Sequence, residues 1–156
     1  MAGISVLPGT FMTYDGVVQV SGTALKVDAE AMTRELRHQG PAHELLGRYA
    51  WVLLGHGIQT AACNNFHSVD KRCARWLLMM HDVMGRDDFP ITQDRLAQML
   101  GVRRASVTRA ARTLQRAGTI DYQHGHLIVH KRRGLEAASC ECYRVMREMH
   151  QHVLGY

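Results

Sequence analysis

The stretch Thr92-Gln93-Asp94-Arg95-Leu96-Ala97-Gln98-Met99-Leu100-Gly101-Val102-Arg103-Arg104-Ala105-Ser106-Val107-Thr108-Arg109 governs the reading of the whole chain. Thr92 is a suitable N-cap for a helix over Gln93 to Leu100, and Asp94 puts a carboxylate in its first turn, where the helix dipole favours it. Gly101 ends that helix. A second helix begins near Arg103 or Arg104 and runs to about Ala117, where Gly118 supplies a left-handed terminator. Counted from Gln93, small Ala97 falls fifth, Gly101 ninth and β-branched Val107 fifteenth. A helix-turn-helix needs those types at those places, for close helix crossing, positive φ in the turn and filling of the interhelical angle. Leu96, Leu100, Val102 and Ala110 supply further buried positions, whereas Arg103, Arg104, Ser106, Thr108, Arg109 and Arg112 lie off that core. A plain helical hairpin with a solvated basic face is the alternative.

Downstream, Thr119 to Gln123 and His126 to His130 alternate on either side of His124-Gly125, a dipeptide suited to a two-residue hairpin turn. This predicts a wing after the second helix. Winged helix-turn-helix domains set the second helix in the DNA major groove and hold phosphate with the hairpin tip and flanking bases. His124, His126, Lys131, Arg132 and Arg133 suit the second task, and Thr92 joins Arg103, Arg104, Ser106, Thr108, Arg109 and Arg112 as a candidate DNA contact.

Charge supports that placement. The 156 residues carry 19 Lys and Arg against 14 Asp and Glu, formally +5, with a pI near 9.3. Residues 1–66 are net −1 and residues 67–156 net +6; the segment from Arg103 to Arg133 holds eight basic groups against Asp121 alone. A polyanion-binding face therefore belongs to the second half. With 46% hydrophobic and 21% charged residues, disordered and fibrous classes do not fit.

Upstream, Ser68 caps a helix over Val69 to Met84 that Gly85 stops, with Cys73, Trp76, Leu77, Met80 and Met84 as its core positions. Arg86 to Ile91 reads as a charged loop and linker. From Ala42 to about Asn64 runs a long helical pattern whose apolar residues cover more than one face. Leu46, Tyr49, Leu53, His56, Thr60 and Cys63 follow coiled-coil spacing, predicting a dimer seam, with an irregular buried helix as the alternative. Asp28 caps a short helix over Ala29 to Arg37, broken at Gln39-Gly40-Pro41. Val17 to Val20 and Ala24 to Val27 read as short strands.

Ala61-Ala62-Cys63-Asn64, His67-Ser68-Val69, Arg75-Trp76-Leu77-Leu78, Leu100-Gly101-Val102-Arg103-Arg104, Gly134-Leu135-Glu136 and Ser139-Cys140-Glu141-Cys142-Tyr143 together resemble the Crp/Fnr family of bacterial transcription regulators over about two-thirds of the chain. The resemblance implies a homodimer held by the long helix and a C-terminal winged domain on a palindromic operator. It puts recognition contacts at Arg103, Arg104, Ser106, Thr108 and Arg109. Gly3 to Val27 resembles the later part of the family's cyclic-nucleotide-binding-like β-roll, which here is shortened. Its phosphate-gripping turn has no match in this sequence, so neither a cyclic nucleotide nor another cofactor is expected.

The expected fold is mainly α with small β elements: a β-roll remnant over residues 1–41, a dimerisation helix over 42–66 and a winged helix-turn-helix domain over 67–156. No secretory signal is read at the front, and polar residues interrupt the uncharged run from Tyr49 to Val69, so a cytoplasmic protein without a membrane span is expected. Four cysteines are too few for a disulfide scaffold. Read as helix neighbours, Cys140 and Cys142 point to different faces, while Cys63 and Cys73 belong to separate helices, so no metal is expected. Phosphate loops and hydrolase signatures have no match, and no enzyme is expected. The expected partners are double-stranded DNA, a second copy of the chain and RNA polymerase. An alternative function is an interaction protein that pairs with a full-length regulator through the long helix and an unpaired roll edge.

Overall fold

The computed structural model describes Val18 and residues 22–155. The chain divides into two compact units, Met1–Val52 and Leu53–Tyr156. In the first, α1 (Ala29–Arg37) is capped by Asp28, whose Oδ1 accepts from the Glu30 and Ala31 amides at 3.0 and 3.1 Å. Gln39, at φ +50, and Gly40 separate it from α2 (Pro41–Phe66). Proline opens α2 because the first helical position lacks an amide partner in any case. The strand expected over Val17 to Val20 lies, apart from Val18, outside the described residues. Ala24 to Val27 forms no strand; Leu25 and Val27 are exposed and no described segment offers a ladder to them. The roll edge that would invite a partner is therefore not formed there.

No described helix is long and apolar enough to cross a membrane. Helix α3 (Val69–Met84) starts at Ser68, whose Oγ accepts from the Lys71 amide, and ends at Gly85 with φ +63. Its inward face presents Cys73, Ala74, Leu77, Leu78 and Met80, all buried, while Trp76 and Met84, expected in the core, are half-buried. Helices α4 (Gln93–Leu100), α5 (Arg104–Arg116) and α6 (Arg132–Ala138) pack against α3. Arg72 of α3 donates to the Leu100 carbonyl, tying the C-terminal end of α4 to α3.

Arg86 to Ile91 is not a linker. Asp88–Pro90 forms β1, which pairs antiparallel with β3 (His126–Val129), while β2 (Ile120–Gln123) flanks β3 on its other side. Phe89 is fully buried opposite Leu127, and the burial of that ring holds so short a strand in place. Pro90 is tolerated because β1 is an edge strand. His124 and Gly125, at φ +49 and +81, turn β2 into β3 as the dipeptide predicts.

Helix α6 closely approaches Thr119, the residue before β2, at Gly134. A methyl group there would lie 2.8 Å from Oγ1 and 3.1 Å from Cγ2 of buried Thr119. Thr119 has little freedom to yield, since its carbonyl accepts from the His130 and Lys131 amides. Gly134→Ala gains about 1 kcal/mol of helix propensity, against about 1–3 kcal/mol of overpacking. A net loss of about 1 kcal/mol is expected in urea denaturation; an unchanged or raised midpoint would show that Thr119 gives way.

After α6 the chain turns through Ser139 to Glu141 into α7 (Cys142–Leu154). Cys140 therefore precedes α7 and does not share a helix with Cys142, so the two-face argument does not apply to this pair. Both thiols are buried against Cys63 of α2.

Candidate nucleic-acid interface

Helices α4 and α5 are fixed as one piece by their turn. Thr92 Oγ1 accepts from the Arg95 amide as N-cap, Gly101 adopts φ +63, and the Val102 amide donates to the Ala97 carbonyl at 3.0 Å. Ala97 and Val107 are buried where the helices cross, whereas Val102 is only half-buried. The Thr108 hydroxyl donates its single proton within the motif, to Gln93 Oε1 at 2.6 Å or to the Arg104 carbonyl at 3.1 Å. Gln93, which no sequence signal distinguished, thus joins the start of α4 to α5.

Val107, Ala110, Ala111 and Leu114 are the buried face of α5. The opposite face carries Ala105, Arg109, Arg112 and Arg116, all exposed and spaced at four, three and four. Arg103, the residue before the helix, and Arg104, its first residue, extend that surface, with Ser106 half-buried beside them. Arg104 pairs with Asp94 at 3.2 Å, both side chains being largely exposed. Such a pair is worth well under about 1 kcal/mol and yields readily to a phosphate or base. Ala105 and Arg116 complete this exposed face, and the sequence reading did not place them on it.

At the wing, His124 and His126 are exposed, and His126 Nδ1 lies 3.3 Å from Asp88 Oδ1. Lys131 and Arg133 are exposed beyond it. Arg132 is not part of this cationic surface. It reaches Asp82 at 2.7 Å and Glu136 at 3.1 Å, and it donates to the Tyr143 hydroxyl, which in turn donates to Asp82. Three carboxylate and phenol oxygens on α3, α6 and α7 turn this arginine inward, and the adjacent carboxylates hold its pKa above the ordinary value against the opposing effect of burial.

Leu46, Tyr49, Leu53, His56 and Thr60 are half-buried and Cys63 is fully buried. His56 Nε2 lies 3.3 Å from the Met146 carbonyl, and burial keeps its pKa below the ordinary histidine value. Gly47, Trp51, Leu54, Ile58, Ala61 and Asn65 are all exposed instead, and they also follow a four-three alternation. Both stripes fit a heptad.

Residues 71–138 match a family model described as a Crp-like helix-turn-helix domain. A solved structure described as a transcriptional regulator of the Crp/Fnr family from Eubacterium rectale is similar in fold, with a TM-score of 0.57 and 23% identity, over 70% of this chain and 51% of that one. The chain thus spans about half the length of that regulator. No curated protein matches the chain.

Proposed function

We propose, from the match of residues 71–138 to a Crp-like helix-turn-helix domain, that the chain is a DNA-binding transcription regulator, not an enzyme, which reads a palindromic operator as a homodimer. The observation that carries this reading is the row of exposed cations on α5, opposite its buried face. In this reading α5 enters the major groove. Arg104 and Arg109 read guanine edges, and Ser106, Thr108 and Arg112 contact phosphates or neighbouring edges. Thr92, Arg103, His124, His126, Lys131 and Arg133 hold the flanking backbone. Thr108 must exchange its bond to Gln93 for the contact, so its share is the smallest.

The exposed stripe Trp51, Leu54 and Ile58 supports the homodimer better than the half-buried seam around His56 does. Small Gly47 and Ala61 within that stripe permit close approach of a second helix. Two copies would then present two α5 helices to inverted half-sites about 10 base pairs, one helical turn, apart.

Selection of sites from a random DNA pool with the purified chain tests this reading, and enrichment of an inverted repeat is the expected outcome. Arg109→Ala should weaken the selected site by about 1–3 kcal/mol, roughly 5- to 150-fold, and relax preference at one base position per half-site. Arg112→Ala should instead lower affinity for all sequences and reduce the salt dependence. A folded protein that enriches no sequence, or an Arg109→Ala variant with unchanged preference, would refute the assignment.

A further inference from the structure

Four metal-ligating side chains from distant parts of the chain meet at the end of α2. Cys63 lies in its last turn, His67 directly after it, Cys140 in the turn before α7 and Cys142 at the first position of α7. One ligand atom from each lies within 4.8 Å of all the others. Cys63 Sγ and Cys140 Sγ are 3.5 Å apart, as are Cys142 Sγ and His67 Nδ1. We propose that Cys63, His67, Cys140 and Cys142 bind a single Zn²⁺ ion in a tetrahedral Cys3His site that clamps the start of α7 to the end of α2.

The dimensions suit one ion. Zinc–sulfur bonds of about 2.3 Å and zinc–nitrogen bonds of about 2.0 Å put tetrahedral ligand atoms roughly 3.5–3.8 Å apart. Two pairs already stand at about that spacing, and no pair need contract by more than about 1 Å. An iron–sulfur cluster would spread its ligands around several metal atoms. Three sulfurs and an imidazole are also the wrong donors for calcium or magnesium, which take oxygen. With four protein ligands and no open position, the site is structural and not catalytic.

Neighbouring groups complete the arrangement. His67 directs Nδ1 to the thiols while Nε2 lies 3.2 Å from Glu141 Oε1, the carboxylate–histidine pairing that orients metal-bound imidazoles. Gln59 Nε2 donates to Cys142 Sγ at 3.1 Å, a bond that suits a thiolate. Independent evidence comes from Arg75 of α3, only 4% exposed. Its Nη1 donates to the thioether sulfurs of Met146 and Met79 at 3.1 and 3.4 Å, and its Nε has no partner. Thioethers are weak acceptors, and a buried guanidinium without a counter-charge is strongly unfavourable. Three thiolates around Zn²⁺ carry a net negative charge, and Arg75 is held against α7 at Met146, one helical turn beyond Cys142.

The full chain, purified under reducing conditions, should contain one zinc per chain by elemental analysis. After metal removal, titration with Co²⁺ should saturate at one equivalent, with the visible bands of tetrahedral cobalt and a thiolate-to-cobalt charge-transfer band, both erased by added Zn²⁺. Cys140→Ser should abolish the charge-transfer band of the tight site. His67→Cys, which keeps four ligands, should retain it with added intensity, and Cys73→Ala, buried elsewhere on α3, should leave it unchanged. Glu141→Gln should weaken Co²⁺ binding by about 10-fold. A folded, reduced wild-type chain that holds no zinc and gives no tetrahedral cobalt spectrum would overturn the proposal. So would metal binding unaffected by Cys140→Ser, or a Cys63–Cys140 disulfide that forms equally well with excess zinc present.

Discussion

Ile58→Glu on the exposed stripe of α2 is expected to separate two copies of the chain and lower operator affinity by about 10²- to 10⁴-fold, without unfolding either copy. Ile58 is 63% exposed in the single chain, so a charge there costs the isolated fold little. In a dimer it would be buried, and burying it contributes about 1.5–3 kcal/mol per copy that Glu both loses and replaces with an unpaired carboxylate. The affinity loss follows from linkage, since a monomer binds one half-site and forfeits the high effective concentration of its partner at the other. Sedimentation should report a monomer, and binding to an isolated half-site should change little. An Ile58→Glu protein that remains dimeric with wild-type affinity would remove this stripe from the interface. Leu53→Glu on the half-buried seam makes the useful contrast, because it should lower the thermal midpoint of the chain itself.

Phe89→Ala is expected to destabilise the winged domain by about 3–5 kcal/mol. The ring is fully buried, and it is the main apolar anchor of the three-residue strand β1 against β3. Each kcal/mol moves the midpoint of a domain of this size by about 4–8 °C, so a fall of more than about 10 °C is expected. The wing should loosen with it, because the Tyr122 hydroxyl donates to the Ile91 carbonyl just beyond β1 and the Ile91 amide donates to the Gly125 carbonyl at 2.8 Å. Ile128→Ala, one residue from Leu127 but on the solvent side of β3 at 37% exposure, should cost less than about 1 kcal/mol. Equal losses for the two variants would mean that Phe89 does not anchor the sheet.

The turns and the outward cations of the helix-turn-helix are legible in the sequence. Gly101 sits at φ +63 and Gly125 at φ +81, as their turns require, and buried Ala97 and Val107 leave Arg109 and Arg112 facing outward because helical periodicity forces the two faces apart. Arg132 was misread for a definite reason. Composition counts it as one more cation beside Lys131 and Arg133, but Asp82, which neutralises it, is fifty residues away in the chain and becomes a neighbour only when α3 and α6 pack.

Local chemistry in the chain was therefore sufficient for the helix ends, the turn, the wing tip and the outward cations. Caps, glycine φ values and the 3.6-residue repeat act within a few residues and leave the same mark in any context. Packing settled the rest: strand status for Asp88–Pro90, the inward turn of Arg132, and the meeting of Cys63 and His67 with Cys140 and Cys142. Each of these depends on a partner far away in the chain, brought near by the burial of Phe89, Leu77 and their neighbours. Burial is non-directional, so no short-range pattern encodes which distant groups it will bring together.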